Sequence, residues 1–135
     1  MSTSHEPTRP GVLSTRLDRP GAGVVVLRVD GEIDTVTAPA LGTALGSLLD
    51  AEPTDGLVAV DLSGVGFLAS SGLAVLIRAA HRAEAQGREL HLVGGGRAVV
   101  RPLQVTGSDR LFTLHQDEST LVVGPRSGDS SATTD

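Results

Sequence analysis

Cysteine, lysine, tryptophan and tyrosine are all absent from this chain, and each absence removes a class of chemistry. Without cysteine there is no disulfide, no thiolate metal site and no thiol nucleophile. Without lysine there is no phosphate-loop lysine and no Schiff base; all 11 basic residues are arginine. Aromatic residues are scarce, at 1%, with Phe67 and Phe112 the two examples. A stacking platform for single-stranded nucleic acid is thereby excluded. The formal net charge of -5 argues against phosphate backbones and anionic membranes as partners. No stretch approaches the roughly 18 apolar residues of a membrane span. The opening MSTSHEPTRPG has no apolar core either. The expected compartment is therefore the cytoplasm, without nucleic-acid binding or membrane insertion.

What is present is aliphatic. Hydrophobic residues make up 39% of 135, enough for one core of Leu, Val, Ile and Ala and too few for two domains. Residues 1–10 and 124–135 are rich in Ser, Thr, Pro, Gly and Asp and read as disordered tails around one domain, 11–123. Leu13 to Leu17 alternates as a half-buried edge strand, and Asp18 to Gly23 has the composition of a long hairpin loop. Val24 to Val29 is a second strand, ended by Asp30-Gly31. Leu41, Ala44, Leu45, Leu48 and Leu49 form one helix face, with Thr37 as N-cap, Pro39 in the first turn and Pro53 beyond the end. Leu57 to Leu62 is nearly all apolar, as a central strand should be.

A second helix follows, with Leu73, Leu76, Ile77, Ala80 and Ala83 on one stripe and Gly87 as its stop. Glu89 to Val93 is a fourth strand, and Ala98 to Val105 a third helix that Pro102 kinks or delays. Leu111 to Leu114 is a fifth strand, and Ser119 to Val123 a final turn. The order β-β-α-β-α-β-α-β implies an α/β fold: a single-layer mixed, mainly parallel sheet with helices packed against it. Its loops Gly31–Thr37, Ser63–Ser71 and Gly94–Arg97 should meet at one edge of the sheet.

The chemistry expected at that edge narrows quickly. Gly64 to Ala69 fits G-x-G-x-x-A, but the acid that would hold a ribose is missing, since Gly94 stands at the end of the next strand. Phe67 and Leu68 read as core plugs. His5, His81, His91 and His115 all lie outside the three loops, no histidine pair has metal-ligand spacing, and Ser70-Ser71-Gly72 is not a G-x-S-x-G elbow. No enzyme, metal or cofactor is expected. Gly94-Gly95-Gly96-Arg97 reads as a strand-to-helix turn or an anion site; Asp34 and Asp61 read as turn formers, with partner binding the other reading for Asp34. Ser70 and Ser71 fall where a helix has unpaired N–H groups and a partial positive charge. One hydroxyl can cap the helix; the second, exposed beside it, is a candidate switch.

Three stretches resemble the STAS domain, the fold of bacterial anti-sigma factor antagonists. They are Gly31-Glu32-Ile33-Asp34 followed by Thr37-Ala38-Pro39-Ala40-Leu41, then Asp61 to Leu73 (DLSGVGFLASSGL), then Val105 to Phe112 (VTGSDRLF). The resemblance implies a binding module, not an enzyme. Its unphosphorylated form would bind an anti-sigma factor that is also a serine kinase and so release a sigma factor. Phosphorylation at Ser71, with Ser70 the alternative acceptor, would end binding, and a serine phosphatase would reset it. The implied partner surface comprises Asp34, Thr35, Leu68, Ala69, Ser70, Ser71, Gly72 and Arg78. The family's acidic residue before the two serines is Ala69 here. The other role the resemblance allows is an adaptor docking on a transporter or signalling scaffold without phosphorylation.

Overall fold

Alternating apolar residues and helical stripes assemble here into five strands and three helices. The structure, a computed structural model, describes residues 12–50 and 56–121. The two expected tails, Pro53, Val122 and Val123 lie outside the described residues. The elements are β1 (Leu13–Gly21), β2 (Val24–Ile33), α1 (Ala38–Asp50), β3 (Leu57–Leu68), α2 (Ser70–Ala85), β4 (Leu90–Val93), α3 (Gly96–Thr106) and β5 (Thr113–His115). The sheet order is β1-β2-β3-β4-β5. β1 is antiparallel to β2, and the remaining pairs are parallel. This is the expected topology.

Strands that follow one another across the sheet through right-handed crossovers place every helix on one face. The core confirms that placement. Val25, Leu27, Val29, Val58, Val60, Leu62, Leu90 and Leu92 pack with α1, α2 and α3. Val24, Val26, Ala59 and Val93 point the other way and meet no helix residue of that core. Fully burying an aliphatic side chain contributes roughly 1.5–3 kcal/mol, so the helix side carries most of the stability. α1 buries Leu41, Leu45, Leu48 and Leu49, as its period requires. α2 ends at Gly87, whose φ of 77° lets its N–H reach Glu84 O at 2.9 Å while Arg88 N–H reaches Ala83 O at 2.9 Å.

Several boundaries differ from expectation. β1 runs through Pro20 to Gly21, and the hairpin turn is only Ala22-Gly23. An outer strand tolerates proline because one of its sides needs no ladder partner. β2 and β3 both continue past their expected ends, and Asp30, Gly31, Glu32 and Ile33 pair with Gly64, Val65, Phe67 and Leu68. Gly64 suits that close approach, since a Cβ there would push the exposed Asp30 carboxylate aside. The expected Ser63–Ser71 loop is thus mostly strand, and the Gly31–Thr37 loop is shortened to residues 34–37. α3 starts at Gly96 and runs through Pro102 to Thr106. The Thr106 hydroxyl donates to Pro102 O at 2.9 Å in its last turn. A 3-10 turn, Ser108–Leu111, replaces the expected start of β5, and the final turn is Glu118–Thr120.

Gly72 is buried in the first turn of α2, where a Cβ would overlap Ile33 Cγ2 and crowd Leu68 Cδ1. Alanine there gains about 1 kcal/mol in helix propensity but forces overpacking worth about 1–3 kcal/mol. Gly72→Ala should therefore lower the urea midpoint; an unchanged or raised midpoint would show that Ile33 yields freely.

Candidate functional site

The register pair Ile33–Leu68 brings the ends of β2 and β3 level. Asp34 and Ala69 follow directly. The Ala69 N–H donates to Ile33 O at 2.8 Å, and its extended backbone (φ −83°, ψ 166°) turns the chain into α2. Ala69 is the N-cap residue, and it has no side-chain oxygen to give. The first-turn N–H groups therefore receive no side-chain cap. This corrects the expectation that one of the two serines caps the helix: both lie inside it, at its first and second positions.

The serines differ in their surroundings. Ser70 is exposed. Ser71 is partly exposed as a residue, but its Oγ is buried and has no hydrogen-bond partner. The expected exposed second hydroxyl is thus turned inward. An unpaired buried hydroxyl costs about 1–3 kcal/mol. No histidine bonds to Ser71 Oγ, so it is not an activated nucleophile.

Around the serines the expected partner residues divide. Asp34 builds the entry to α1: its Oδ1 accepts from the N–H groups of Val36 and Thr37, both at 2.9 Å. Thr37 is buried and serves the loop rather than the helix, accepting from Asp34 N–H at 2.9 Å and donating to Glu32 O at 2.8 Å. The Thr37 hydroxyl is thus spent on the loop and not on the first turn of α1, where Pro39 has no N–H to offer. Thr35 is exposed. Leu68 and Gly72 are buried and position the turn from beneath. Arg78 is exposed two turns along α2. It lines a groove of about 150 Å³ between α1 and α2, with Gly42, Gly46, Val75 and Arg82.

Two apolar residues, one near the end of β3 and one in the loop after β2, are exposed where the sequence reading did not place them on the surface. Phe67 is 48% exposed and Val36 73% exposed. Phe67, expected in the core, points outward because the pairing of β2 with β3 shifts between Gly31 and Glu32. That shift resets the alternation that placed Phe67 inside. A lone aromatic at a strand end is the only signal the sequence offered.

Other expected residues lie elsewhere. Gly94 and Gly95 form the turn into α3, with Gly94 N–H donated to His115 O at 2.9 Å. Asp61, expected to form a turn, lies instead within β3, paired with Arg28 and Val93; its carboxylate accepts from Ser63 N–H at 2.9 Å on the sheet face away from the helices. His91 and His115 meet on that same face. Among the described residues, no three metal-ligating side chains are grouped together.

Comparison with known proteins agrees with this geometry. The STAS domain profile matches residues 18–121. The anti-sigma-F factor antagonist RsfB of Mycobacterium tuberculosis is 36% identical over 106 residues, covering 78% of this chain and 84% of that protein. The crystal structure of an anti-sigma factor antagonist from Mycobacterium paratuberculosis superposes with a TM-score of 0.72 at 35% identity, covering 82% of this chain and 91% of that one. The Bacillus cell fate determinant SpoIIAA in its phosphorylated form shares the fold, with a TM-score of 0.60 at 17% identity over 80% of this chain and 96% of that one. With three sequence segments, the sheet order and the helix placement all in agreement, this chain belongs to the STAS domain family.

Proposed function

We propose that this protein is an anti-sigma factor antagonist, a binding module that works in the cytoplasm. Unmodified, it binds an anti-sigma factor that is also a serine kinase and so frees a sigma factor. Phosphorylation of Ser71 ends the binding, and a serine phosphatase restores it. The single observation that carries the reading is the uncapped start of α2, with an unpartnered Ser71 hydroxyl in its first turn. The named function of the Mycobacterium tuberculosis relative supports the partner class.

The physics of the switch follows from that helix end. Free first-turn N–H groups and the helix dipole favour an anion by about 0.3–1 kcal/mol. A phosphate adds about −1.5 to −2 charges, so the fold tolerates it. A docked partner does not, because a buried unpaired charge costs several kcal/mol and about 1.4 kcal/mol is already tenfold in affinity. Phe67 and Val36, exposed near the end of β3 and in the loop after β2, supply the apolar contact such a partner needs. Arg78 adds a cation further along α2.

Three outcomes test this. Incubated with the cognate anti-sigma kinase and ATP, Ser71→Ala should gain no phosphate by intact mass while still binding the kinase in calorimetry. Ser71→Asp should bind more weakly. Phosphate on Ser71→Ala at undiminished stoichiometry would move the acceptor to Ser70. The same Ser71→Ala variant should match or exceed the wild-type urea midpoint, because the lost hydroxyl caps nothing; a loss of about 1 kcal/mol would mark it as a cap.

Phe67→Ala should weaken kinase binding about tenfold or more, as a central aromatic does, with little change in stability because the ring is half exposed. Undiminished affinity would remove Phe67 from the interface. Ala69→Asp should raise stability by about 0.5–2 kcal/mol by supplying the missing cap; no gain would show that the first-turn N–H groups are already satisfied.

A further inference from the structure

The helix-free face of the sheet holds a polar network that the proposed switch does not use. Val24, Val26, Ala59 and Val93 form an apolar strip at its centre. After β5 the chain turns back across this strip, and Leu121 packs onto it. Two polar ties hold the returning segment. In the first, Arg28 donates to Glu118 Oε1 at 2.6 Å and pairs with Asp18 through its other terminal nitrogen. A protonated Glu118 carboxyl would donate to the neighbouring Asp61. In the second, His115 Nδ1 lies 2.5 Å from Thr120 Oγ1, and His115 Nε2 lies 2.9 Å from His91 Nδ1.

We propose that residues 116–121 form a clasp over the helix-free face, and that the His91–His115 pair makes its closure depend on the pair's protonation. Two ring nitrogens 2.9 Å apart need one proton between them. The neutral pair supplies it. A singly protonated pair does too, with His91 Nδ1–H donating to His115 Nε2 and His115 Nδ1–H donating to Thr120. A second proton sets N–H against N–H, and one ring must leave. The open segment has no such restriction, so closure excludes one proton.

Every charged group facing the clasp has a defined part. Burial, and then the neighbouring His115, push the His91 pKa below its ordinary value; Glu89 pulls it upward from 3.8 Å, but its side chain is mostly exposed. A depressed histidine pKa means closure is fully favoured above the ordinary value of 6.5 and weakens as pH falls below it. The carboxyl pair works with the opposite sign. The bond to Asp61, followed by burial, raises the Glu118 pKa, so a proton on Glu118 favours closure. Burial alone would raise Asp61, but bonds from Glu118 and Ser63 and the Arg28 charge hold it below its ordinary value. Arg16 is the register partner of Arg28, and Asp30 extends beyond Arg28 on β2. Asp117, on the clasp itself, is fully exposed and accepts from Ser119. Protonation of His91 and protonation of Glu118 therefore act on closure with opposite sign.

Amide hydrogen exchange on the full chain, corrected for intrinsic pH dependence, reads this directly. Between pH 7.5 and 5.5, protection in 116–121 should fall about tenfold, the effect of one excluded proton, while Val58–Leu62 in β3 stays constant. His115→Asn should lower protection at both pH values and abolish the difference. Thr120→Val, which leaves both strands intact, should lower protection at pH 7.5 and, by the same linkage, move the His91 titration seen by NMR upward. Equal protection of 116–121 at the two pH values would overturn the clasp. So would Thr120→Val with wild-type protection.

Discussion

The hydrogen bond from Ala69 N–H to Ile33 O decides where the site stands. It fastens the last residue before α2 to the end of β2, and it can form only because the β2–β3 ladder continues to Ile33 and Leu68. Gly72 then packs against Ile33 with no room for a side chain. The start of α2 is thus fixed in position and orientation by backbone pairing and close packing. A side-chain cap is not needed to place it, and Ala69 supplies none. The first-turn N–H groups stay available to an anion, in a segment too well held to unravel when one arrives.

The two faces of the sheet divide the work. The helix side concentrates the aliphatic core, and α2 carries the serines at its leading end. The other side has a smaller apolar strip, closed by the returning chain and by polar ties through Arg28, Glu118, His115 and Thr120. Burial on the first face is non-directional and insensitive to pH, whereas ties on the second depend on where protons sit. One compact domain therefore combines a rigid platform for docking with a separate segment of lower stability, where local opening is expected.

Much of the fold was legible because its signals are local. The α1 stripe, the Gly87 stop of α2, the apolar start of β3 and the order of elements follow from periodicity and turn chemistry. The resemblance to the STAS family added Ser71 and its neighbours. What could not be read depends on tertiary register. The extension of β3 through Ser63–Leu68 looked like a loop, because its glycines read as turn residues until β2 pairs alongside them. Phe67 looked buried until the ladder shift turned it outward. Thr37 is a sound capping residue in isolation, yet its hydroxyl turns back to Asp34 N–H and Glu32 O. His91 and His115 are 24 residues apart and meet only through the parallel pairing of β4 with β5.

The central claim is that the start of α2 accepts a phosphate on Ser71 within an unchanged fold. The direct measurement is a two-dimensional amide NMR comparison of the unmodified and Ser71-phosphorylated protein. The account predicts large shifts confined to residues 34–37 and 67–75, including downfield movement of first-turn amides that bond the phosphate, with β4 and β5 undisturbed. Shifts spread through the whole sheet, or collapse of signal dispersion, would contradict it.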